Sequence, residues 1–370
     1  MEADVKYIES DLVRIAKREN NTKRNYIVVN LLQGKHIPVS PTKAFEMFDS
    51  LADTIKNKYP GEKLLLIGFA ETATAIGARV AIKLGTAYIQ TTREIIPGAG
   101  YLYFSEEHSH ATEQKLVRED IDRALETAGR IIFIEDEVTT GKTILNIISV
   151  IEKEYSRPLK FAVASLLNGM TERYAAQYAD RGIDLHCLVK TNHCAYGSIA
   201  GEFAGNGRYI ECSSEKNIDI PVIDVQGRMD ARRLVTAAEY EKACSDLWEK
   251  ISAYLGNISQ EKVLVLGSEE FMYPALFTAL KLEEAGNRVK CHSTTRSPIA
   301  VSMEENYPLH TRYGLKSLYD SDRRTFIYDI ESYDRVLILT DALMEDKTGM
   351  NTLVNALCAN NTNIILFRWC

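Results

Sequence analysis

The sequence RIIFIEDEVTTGKT, residues 130–143, has the pattern of a strand, a loop and the start of a helix. Four apolar residues, 131–134, indicate a buried strand, and the carboxylates of Glu135 and Asp136 follow at its end. A short loop of small and hydroxyl-bearing residues comes next, and an apolar-periodic helix is expected from residue 144. Loop amides and a helix N-terminus favour a phosphate, and carboxylates accept hydrogen bonds from sugar hydroxyls. The segment therefore predicts a site for a sugar phosphate.

The Gly-Lys-Thr tail of this loop, residues 141–143, also ends the phosphate loop of nucleoside triphosphatases. That loop needs a glycine five residues before its second glycine, and Asp136 stands there instead. The triphosphatase alternative is therefore disfavoured. A surface turn after a core strand is the other alternative, although a random turn rarely carries Glu-Asp, Thr-Thr and Gly-Lys-Thr in this order.

Length and composition indicate two soluble domains, since 370 residues suffice for two hydrophobic cores. The net charge of −7 and the lack of a long basic block disfavour nucleic-acid binding. No apolar run is long enough to span a membrane, and the charged N-terminal segment does not have the pattern of a signal peptide. Seven scattered cysteines predict reduced thiols and a cytoplasmic protein. Histidines and cysteines cluster between residues 186 and 212, but their spacing matches no standard zinc site.

Strand-like and helix-like segments alternate along the chain, which predicts α/β domains with parallel sheets and crossover helices. In the first part we expect strands at 27–32, 63–67, 87–91, 131–134, 159–167 and 183–190, and helices at 41–59, 144–155 and 170–181. Residues 68–77 are expected to turn into a further helix that runs to about residue 83. The charged segment 1–20 also has a helical pattern. Residues 192–224 are rich in glycine, serine and asparagine and indicate a linker. We therefore expect two domains, residues 1–213 and 214–370.

The second half of the chain repeats motifs of the first half in the same order. The matched pairs are EKLLLIG (62–68) with EKVLVLG (261–267), Thr-Thr-Arg at 91–93 with 294–296, and RIIFIED (130–136) with RVLILTD (335–341). We interpret the second domain as a degenerate copy of the first, and chance similarity between two α/β domains is the alternative. Met-Glu-Asp at 344–346 replaces Thr-Thr-Gly at 139–141, and carboxylates repel a phosphate. Only the first copy is therefore expected to bind the sugar phosphate.

The segment 130–143 resembles the phosphoribosyl pyrophosphate (PRPP) signature of the type I phosphoribosyltransferases. That signature has four apolar residues, two acidic ones, two variable apolar ones, and then Thr, a small residue, Gly and Thr. Glu137 and Lys142 depart from it without removing the loop amides or the acidic pair. The resemblance implies a Rossmann-like domain with a parallel sheet. It also implies a pentosyl-class glycosyltransferase that uses PRPP as co-substrate and releases pyrophosphate.

The resemblance assigns parts of the chain to the groups of PRPP. The 5′-phosphate is assigned to Thr139, Thr140, Gly141, Lys142 and Thr143, and the ribose hydroxyls to Glu135 and Asp136. The loop within GFAETATAIG, residues 68–77, is assigned to pyrophosphate through Ala70, Glu71, Thr72, Ala73 and Thr74. Mg²⁺ is the implied cofactor, bound mainly through PRPP, with Asp136 as the candidate for a direct protein ligand.

Two further segments resemble catalytic parts of the orotate phosphoribosyltransferases. Arg93 matches an arginine that binds pyrophosphate, although Glu94 stands where a lysine commonly follows. The polar segment 103–116 takes the place of a mobile catalytic loop, with His108, His110 and Lys115 as the groups that shield the leaving pyrophosphate. The alternatives are a solvated arginine and an exposed polar loop.

An early basic segment matches the substrate-facing part of orotate-type enzymes, and Lys35 and His36 are its candidates. The resemblance also suggests a homodimer, because orotate-type enzymes are commonly dimers. Small molecules, namely PRPP and an acceptor, are the expected partners, with no nucleic acid and no membrane.

The second domain contains Thr-Arg-Ser-Pro at 295–298, followed by HTRYGL at 310–315. These motifs resemble the TRSP domain, which is fused behind a phosphoribosyltransferase in genes near bacterial tellurite-resistance operons. The resemblance implies a role in nucleotide biosynthesis, with a nucleoside-like metabolite as the product. Arg296, His310 and Arg312 are candidates for binding an anion or the acceptor, and the alternative is that they hold a domain interface.

The leading function is a Mg-dependent phosphoribosyltransferase acting on a base-like or other small acceptor. The alternative is a non-catalytic PRPP-binding regulatory protein. The candidate catalytic loop favours the enzyme, because a sensor has no leaving group to shield. The absence of a basic patch disfavours a transcription regulator. A scaffold protein is a third alternative, but it would not require the acidic pair.

Overall fold

A computed structural model gives the structure of this chain and describes residues 6–19, 24–104, 114–215, 218–344 and 346–370. Its strands are β1 (Val13–Lys17), β2 (Tyr26–Asn30), β3 (Leu64–Gly68), β4 (Ala87–Gln90), β5 (Tyr101–Phe104), β6 (Gln114–Val117), β7 (Arg130–Val138), β8 (Lys160–Asn168), β9 (Asp184–Lys190), β10 (Arg208–Glu211), β11 (Val222–Val225), β12 (Val235–Thr236), β13 (Lys262–Gly267), β14 (Arg288–Ser293), β15 (Thr311–Lys316), β16 (Arg324–Tyr328), β17 (Arg335–Thr340) and β18 (Ile364–Trp369).

Its helices are α1 (Glu9–Leu12), α2 (Pro41–Ile55), α3 (Thr74–Leu84), α4 (Arg118–Leu125), α5 (Lys142–Glu154), α6 (Glu172–Asp180), α7 (Tyr196–Glu202), α8 (Ala237–Leu255), α9 (Tyr273–Glu284) and α10 (Thr348–Leu357). None of the helices in the described residues is long and apolar enough to cross a membrane.

The chain divides into two compact units that do not follow a single cut in the sequence. Unit 1 comprises the described residues of Met1–Ala44, Asn192–Arg228 and Cys244–Cys370, and unit 2 comprises those of Phe45–Thr191 and Met229–Ala243. These units are defined by contacts in space, whereas the expected domains are continuous stretches of sequence. The expected sequence domains, 1–213 and 214–370, therefore stay a prediction.

Unit 2 has a sheet with the strand order β12-β4-β3-β7-β8-β9. The pairs from β4 to β9 are parallel, and β12 is an antiparallel edge strand beside β4. Residues 65–67 and 131–134 are buried throughout, as expected for parallel strands that are covered on both faces. The predicted α/β class with a parallel sheet is therefore confirmed.

Unit 1 has a sheet with the strand order β11-β18-β17-β13-β14, in which every pair is parallel. Helix α9 packs on β13 and β14. The core of this unit includes the apolar face of α10, through Leu353, Val354 and Leu357, together with Leu266 and Ile338 of the sheet. The second domain is therefore also α/β, as predicted.

Four strands of each sheet share one order and one register. The order β4-β3-β7-β8 of unit 2 corresponds to β14-β13-β17-β18 of unit 1, and each unit has an antiparallel hairpin, β5–β6 or β15–β16, before its third core strand. Gly68 pairs with Ile134 and Gly267 pairs with Leu339, at matching positions of the repeated motifs. A degenerate copy requires this agreement, so the topology supports that interpretation.

One ion pair recurs at matching positions of the repeated motifs. Arg130 Nε donates to Glu62 Oε2 over 2.8 Å, and Arg335 Nε donates to Glu261 Oε2 over 2.8 Å. In each unit the pair joins the beginnings of two adjacent strands, β3 with β7 or β13 with β17. The similarity thus extends from the strand order to individual side chains.

The helical pattern of residues 1–20 is a wrong prediction from residue 13 onward. Helix α1 has four residues, and β1 then pairs antiparallel with β2 over five residue pairs. Ala16 and Val29 are fully buried and pack in a cluster with Ile299 and Val301. Helix propensity is a weak preference, and long-range packing has overridden it here.

Candidate active site

The candidate residues of unit 2 gather at one edge of its sheet. Strand β3 lies between β4 and β7, and all three are parallel. Their carboxyl ends therefore leave the sheet at the same edge, so the loop at 70–74, Arg93 and the segment 135–143 come together. This edge is where ligands bind in open parallel α/β sheets.

The acidic pair lies within a strand, whereas the apolar pattern predicts it just after one. Strand β7 continues to Val138, and Glu135 pairs with Ser165 of β8. The reason is that β8 also extends to Asn168, so the ladder of hydrogen bonds runs on past the apolar core. Glu135 and Asp136 are half-buried and remain within reach of a ligand.

Gly141 holds the loop before α5 in a conformation that favours glycine. Its φ of 69° lies in the left-handed region, and α5 begins at the next residue. The Tyr178 hydroxyl donates to the Gly141 carbonyl over 2.6 Å. A Cβ at this position would collide with that hydroxyl and with the Met170 methyl group. The loop therefore lies tight against α6, and only a glycine fits.

Tyr178 is a permanent donor in this contact. Burial, and then the negative charge of Glu135, raise the pKa of the Tyr178 hydroxyl. The proton therefore stays on the oxygen over the whole physiological range. This tyrosine is not predictable from the sequence, since nothing in the local sequence marks a contact between residues 37 positions apart.

The start of α5 leaves the expected phosphate residues accessible. The helix buries an apolar face, formed by Ile144, Ile147, Ile148 and Ile151. By contrast, Thr139, Thr140 and Thr143 are half-buried, and Lys142 is exposed. Thr140 Oγ1 accepts a hydrogen bond from the Lys142 amide over 3.3 Å, which orders the turn. The turn thus offers backbone amides, hydroxyls and an ammonium group near one helix N-terminus.

The expected pyrophosphate loop, residues 70–74, connects β3 to α3. The Tyr88 hydroxyl donates to the Thr74 carbonyl over 2.9 Å, and the Tyr88 ring packs where Gly68 and Gly77 lack a side chain. Burial raises the pKa of Tyr88, so its hydroxyl remains a donor. The peptide bond between Ala70 and Glu71 is cis. Glycine at two positions therefore lets the loop and α3 lie close to the sheet.

Arg93 and Lys115 come from two segments that pair with each other. The Thr92 amide donates to the Lys115 carbonyl over 2.9 Å, and the Lys115 amide donates to the Thr92 carbonyl over 3.1 Å. Arg93 is half-buried, and the Lys115 ammonium lies 5.1 Å from the centroid of the Tyr101 ring. The other two candidates of this segment, His108 and His110, lie outside the described residues.

Lys35 belongs to unit 1, whereas the loops above belong to unit 2. Its ammonium is buried and donates to the carbonyls of Glu269, over 2.8 Å, and Thr294, over 3.0 Å. His36 is buried as well. The substrate-facing role of this segment stays a prediction.

The second-domain candidates all make contacts within unit 1. Arg296 Nε pairs with Glu269 Oε2 at 2.6 Å, and His310 Nδ1 lies 2.8 Å from the Ser302 carbonyl oxygen. Arg312 is buried, pairs with Glu19 at 2.8 Å, and lies over the rings of two aromatic residues, Tyr209 and Phe326. A role of these three in binding an anion or the acceptor also stays a prediction.

The acidic pair fits the requirements of Mg²⁺. In the part of the chain that the structure describes, no group of three or more His, Cys, Asp or Glu is arranged to hold a metal. Mg²⁺ keeps several waters and commonly binds one or two carboxylates together with substrate phosphates. Glu135 and Asp136, half-buried in the last part of β7, offer such carboxylates.

Comparison with known families agrees with the fold and with the signature loop. Residues 12–198 match the family described as phosphoribosyl transferase. The match spans half of the chain, so the chain belongs to this family, and it is a phosphoribosyltransferase. Residues 229–357 match the TRSP domain that is C-terminal to this transferase. The chain is therefore a phosphoribosyltransferase fused to a TRSP domain, as the motifs predicted.

Among solved structures, the chain is similar to adenine phosphoribosyltransferases. The enzyme of Rhodothermus marinus is 15% identical, and the match covers 49% of this chain and 96% of that chain with a TM-score of 0.36. The enzyme of Trypanosoma brucei, in complex with AMP, pyrophosphate and ribose-5-phosphate, is also 15% identical, with coverage of 48% and 76% and a TM-score of 0.36. No curated protein matches the chain.

Proposed function

We propose that this phosphoribosyltransferase uses Mg²⁺ and PRPP and transfers the phosphoribosyl group to a base-like or other small acceptor with release of pyrophosphate. The observation that carries the proposal is the meeting of three loops at the carboxyl ends of β4, β3 and β7. Neighbouring strands lie about 5 Å apart, so three strands span roughly 10 Å. That span suits one ligand with two phosphate-bearing ends.

Each part of this edge suits one part of PRPP. The start of α5, residues 139–143, suits the 5′-phosphate, because helix amides and the macrodipole stabilise an anion. Glu135 and Asp136 suit the ribose hydroxyls, which donate hydrogen bonds to carboxylates. The loop at 70–74 and Arg93 suit the pyrophosphate. Mg²⁺, when bound, offsets the charge of the departing pyrophosphate.

The reaction breaks the bond between the anomeric carbon and the pyrophosphate oxygen and forms a bond to the acceptor. Its transition state resembles an oxocarbenium ion, as in glycoside hydrolysis. The chain's residues have little covalent work and act by orienting both partners and excluding water. Lys115, with His108 and His110, is proposed to shield the leaving group.

The second copy is proposed not to bind PRPP. Asp346 Oδ1 accepts a hydrogen bond from the Thr348 amide over 2.8 Å, so a carboxylate of the chain takes the place of a phosphate at the start of α10. Glu269 stands where Ala70 stands in the first copy, and its buried carboxylate pairs with Arg296 and with Arg323 at 2.6 and 3.0 Å. In the second copy, a carboxylate thus already stands at the counterpart of the phosphate turn and at the counterpart of the pyrophosphate loop.

The proposal also includes expectations about assembly, location and metabolic role. The homodimer, the cytoplasmic location, and a role in nucleotide biosynthesis near tellurite-resistance genes stay predictions. Arg296, His310 and Arg312 remain candidates for binding the acceptor or an anion. Turnover by an Arg296→Gln variant tests them, since unchanged kinetics with lower stability would favour a structural role.

Pyrophosphate release from PRPP and Mg²⁺, measured across a panel of bases, tests the proposed function. We expect release with at least one acceptor and a loss of at least tenfold in Asp136→Asn, because hydrogen bonds to charged groups contribute about 1.5–3 kcal/mol. The matched control is Asp341→Asn, at the corresponding position of RVLILTD, which should retain activity. Binding of PRPP without turnover on any acceptor would favour the regulatory alternative, and no binding of PRPP would contradict both.

A further inference from the structure

We propose that Thr91 and Gln114 are positioning residues that set the backbone of the pyrophosphate loop. The Ala70 amide donates to Thr91 Oγ1 over 2.8 Å, the Thr91 hydroxyl donates to Gln114 Oε1, and Gln114 Nε2 donates to the Ala70 carbonyl over 2.5 Å. The three hydrogen bonds form a closed ring around Ala70. This inference rests on the proposed function, because it concerns how that loop is held.

The donors and acceptors of the ring fix one another. A hydroxyl has one proton, and Thr91 gives it to Gln114, so Thr91 is left to accept from Ala70. The same bond fixes which way the Gln114 amide faces, which directs its nitrogen to the Ala70 carbonyl. The hydrogen bonding of the site therefore determines a single arrangement.

The residues of this ring are buried, so water cannot replace its hydrogen bonds to the loop. Ala70, Thr91 and Gln114 are 5%, 0% and 2% exposed. Buried backbone groups need partners, and here both backbone groups of Ala70 find them in side chains instead of a helix or a sheet ladder. The conformation of the loop at its first residues therefore depends on these two side chains.

Gln114 also connects the loop to the segment that carries the catalytic candidates. It is the first residue of β6, and the next residue, Lys115, pairs with Thr92 through two backbone hydrogen bonds. Thr92 directly precedes Arg93. Loss of the ring is therefore expected to disturb the pyrophosphate loop and Arg93 together, while the phosphate turn at 139–143 belongs to a different loop.

The second copy has the same contact between a threonine hydroxyl and a loop amide, but a different side chain donates to the loop carbonyl. Thr294 Oγ1 accepts from the Glu269 amide over 3.0 Å, as Thr91 accepts from Ala70. The Glu269 carbonyl accepts from the Lys35 ammonium in place of a glutamine amide. The hydroxyl contact is thus a feature of both copies, and Thr294 provides a matched control for Thr91.

The test measures the binding of two probes, Mg-pyrophosphate and ribose 5-phosphate, to the full chain by calorimetry. In Thr91→Val and Gln114→Met we expect the dissociation constant of Mg-pyrophosphate to rise about fivefold, the change that one hydrogen bond typically makes. The dissociation constant of ribose 5-phosphate should stay within twofold. Thr91→Ser, which keeps the hydroxyl, should restore pyrophosphate binding.

Thr294→Val separates positioning from stability. It removes a buried hydroxyl with the same contact, so we expect a fall in melting temperature similar to that of Thr91→Val, with both probes bound as in the unmodified chain. Unchanged pyrophosphate binding in Thr91→Val and Gln114→Met, or an equal weakening of both probes, would overturn the inference. If the unmodified chain binds neither probe, the proposed function itself fails, and that outcome differs from the previous two.

Discussion

Gly141 shows how one residue links the fold to the site. Its left-handed backbone starts α5 at the expected phosphate position, and its carbonyl is held by the Tyr178 hydroxyl. The need for a glycine here can be understood from the sequence, because the loop must bring its amides close to a ligand. The partner on α6 is not predictable, since the contact is made by tertiary packing.

We predict that Gly141→Ala disrupts the phosphate turn. A left-handed alanine costs roughly 1–2 kcal/mol, and the added methyl also collides with Tyr178 and Met170. The turn must shift, so the dissociation constant of ribose 5-phosphate should rise at least tenfold and the melting temperature should fall.

The matched control is Gly182→Ala, in the same unit. Gly182 has a φ of 64°, but a Cβ there would meet nothing within 4 Å. This variant has the backbone cost without the collision, so it should lower stability and leave ribose 5-phosphate binding unchanged. Equal binding in both alanine variants would contradict the role given to Gly141.

At the scale of elements, the strands and helices with a strong local pattern were predictable. The apolar runs of β3 and β7 and the periodic helix α5 all occur near their expected positions. Strand β1 was not predictable, because its helical pattern is overridden by pairing with β2 and by packing against residues such as Ile299. The extension of β7 to Val138 was also missed, since it depends on its neighbour β8. Local pattern thus fails where a partner strand decides.

We predict that the start of α5 binds phosphate and that the start of α10 only stabilises the fold. Thr140 Oγ1 accepts from the Lys142 amide before α5, and Asp346 Oδ1 accepts from the Thr348 amide before α10. We expect Thr140→Ala to raise the dissociation constant of ribose 5-phosphate severalfold, because a hydroxyl of the proposed site is lost. Asp346→Ala should lower the melting temperature through loss of the hydrogen bond to the Thr348 amide and leave binding unchanged.

Thermal unfolding and calorimetry on the two alanine variants check this pair. A clear weakening of ribose 5-phosphate binding in Asp346→Ala would mean that the second copy takes part in phosphate binding. Unchanged binding in Thr140→Ala would remove that hydroxyl from the proposed site.

In the whole molecule, the repeated motifs predicted two related α/β sheets, and four strands of each sheet share one order. The composition of the units was not predictable. Residues before position 45 belong to unit 1 with the C-terminal part of the chain, through contacts such as Lys35 with Glu269 and Arg312 with Glu19. Such contacts join residues more than 200 positions apart and leave no local pattern in the sequence.

Two related sheets with one intact signature predict a binding stoichiometry. In unit 2, the loops at the carboxyl edge offer amides, hydroxyls and Arg93. In unit 1, Glu269 pairs with Arg296, the counterpart of Arg93, and Asp346 places a carboxylate at the start of α10, where it repels a phosphate. Titration of the full chain with PRPP and Mg²⁺ should therefore give one site per chain. Asp136→Asn should weaken that site, and Asp341→Asn should leave both its affinity and its stoichiometry unchanged. Two equivalent sites per chain would contradict the assignment, because the second copy would then bind PRPP despite its carboxylates.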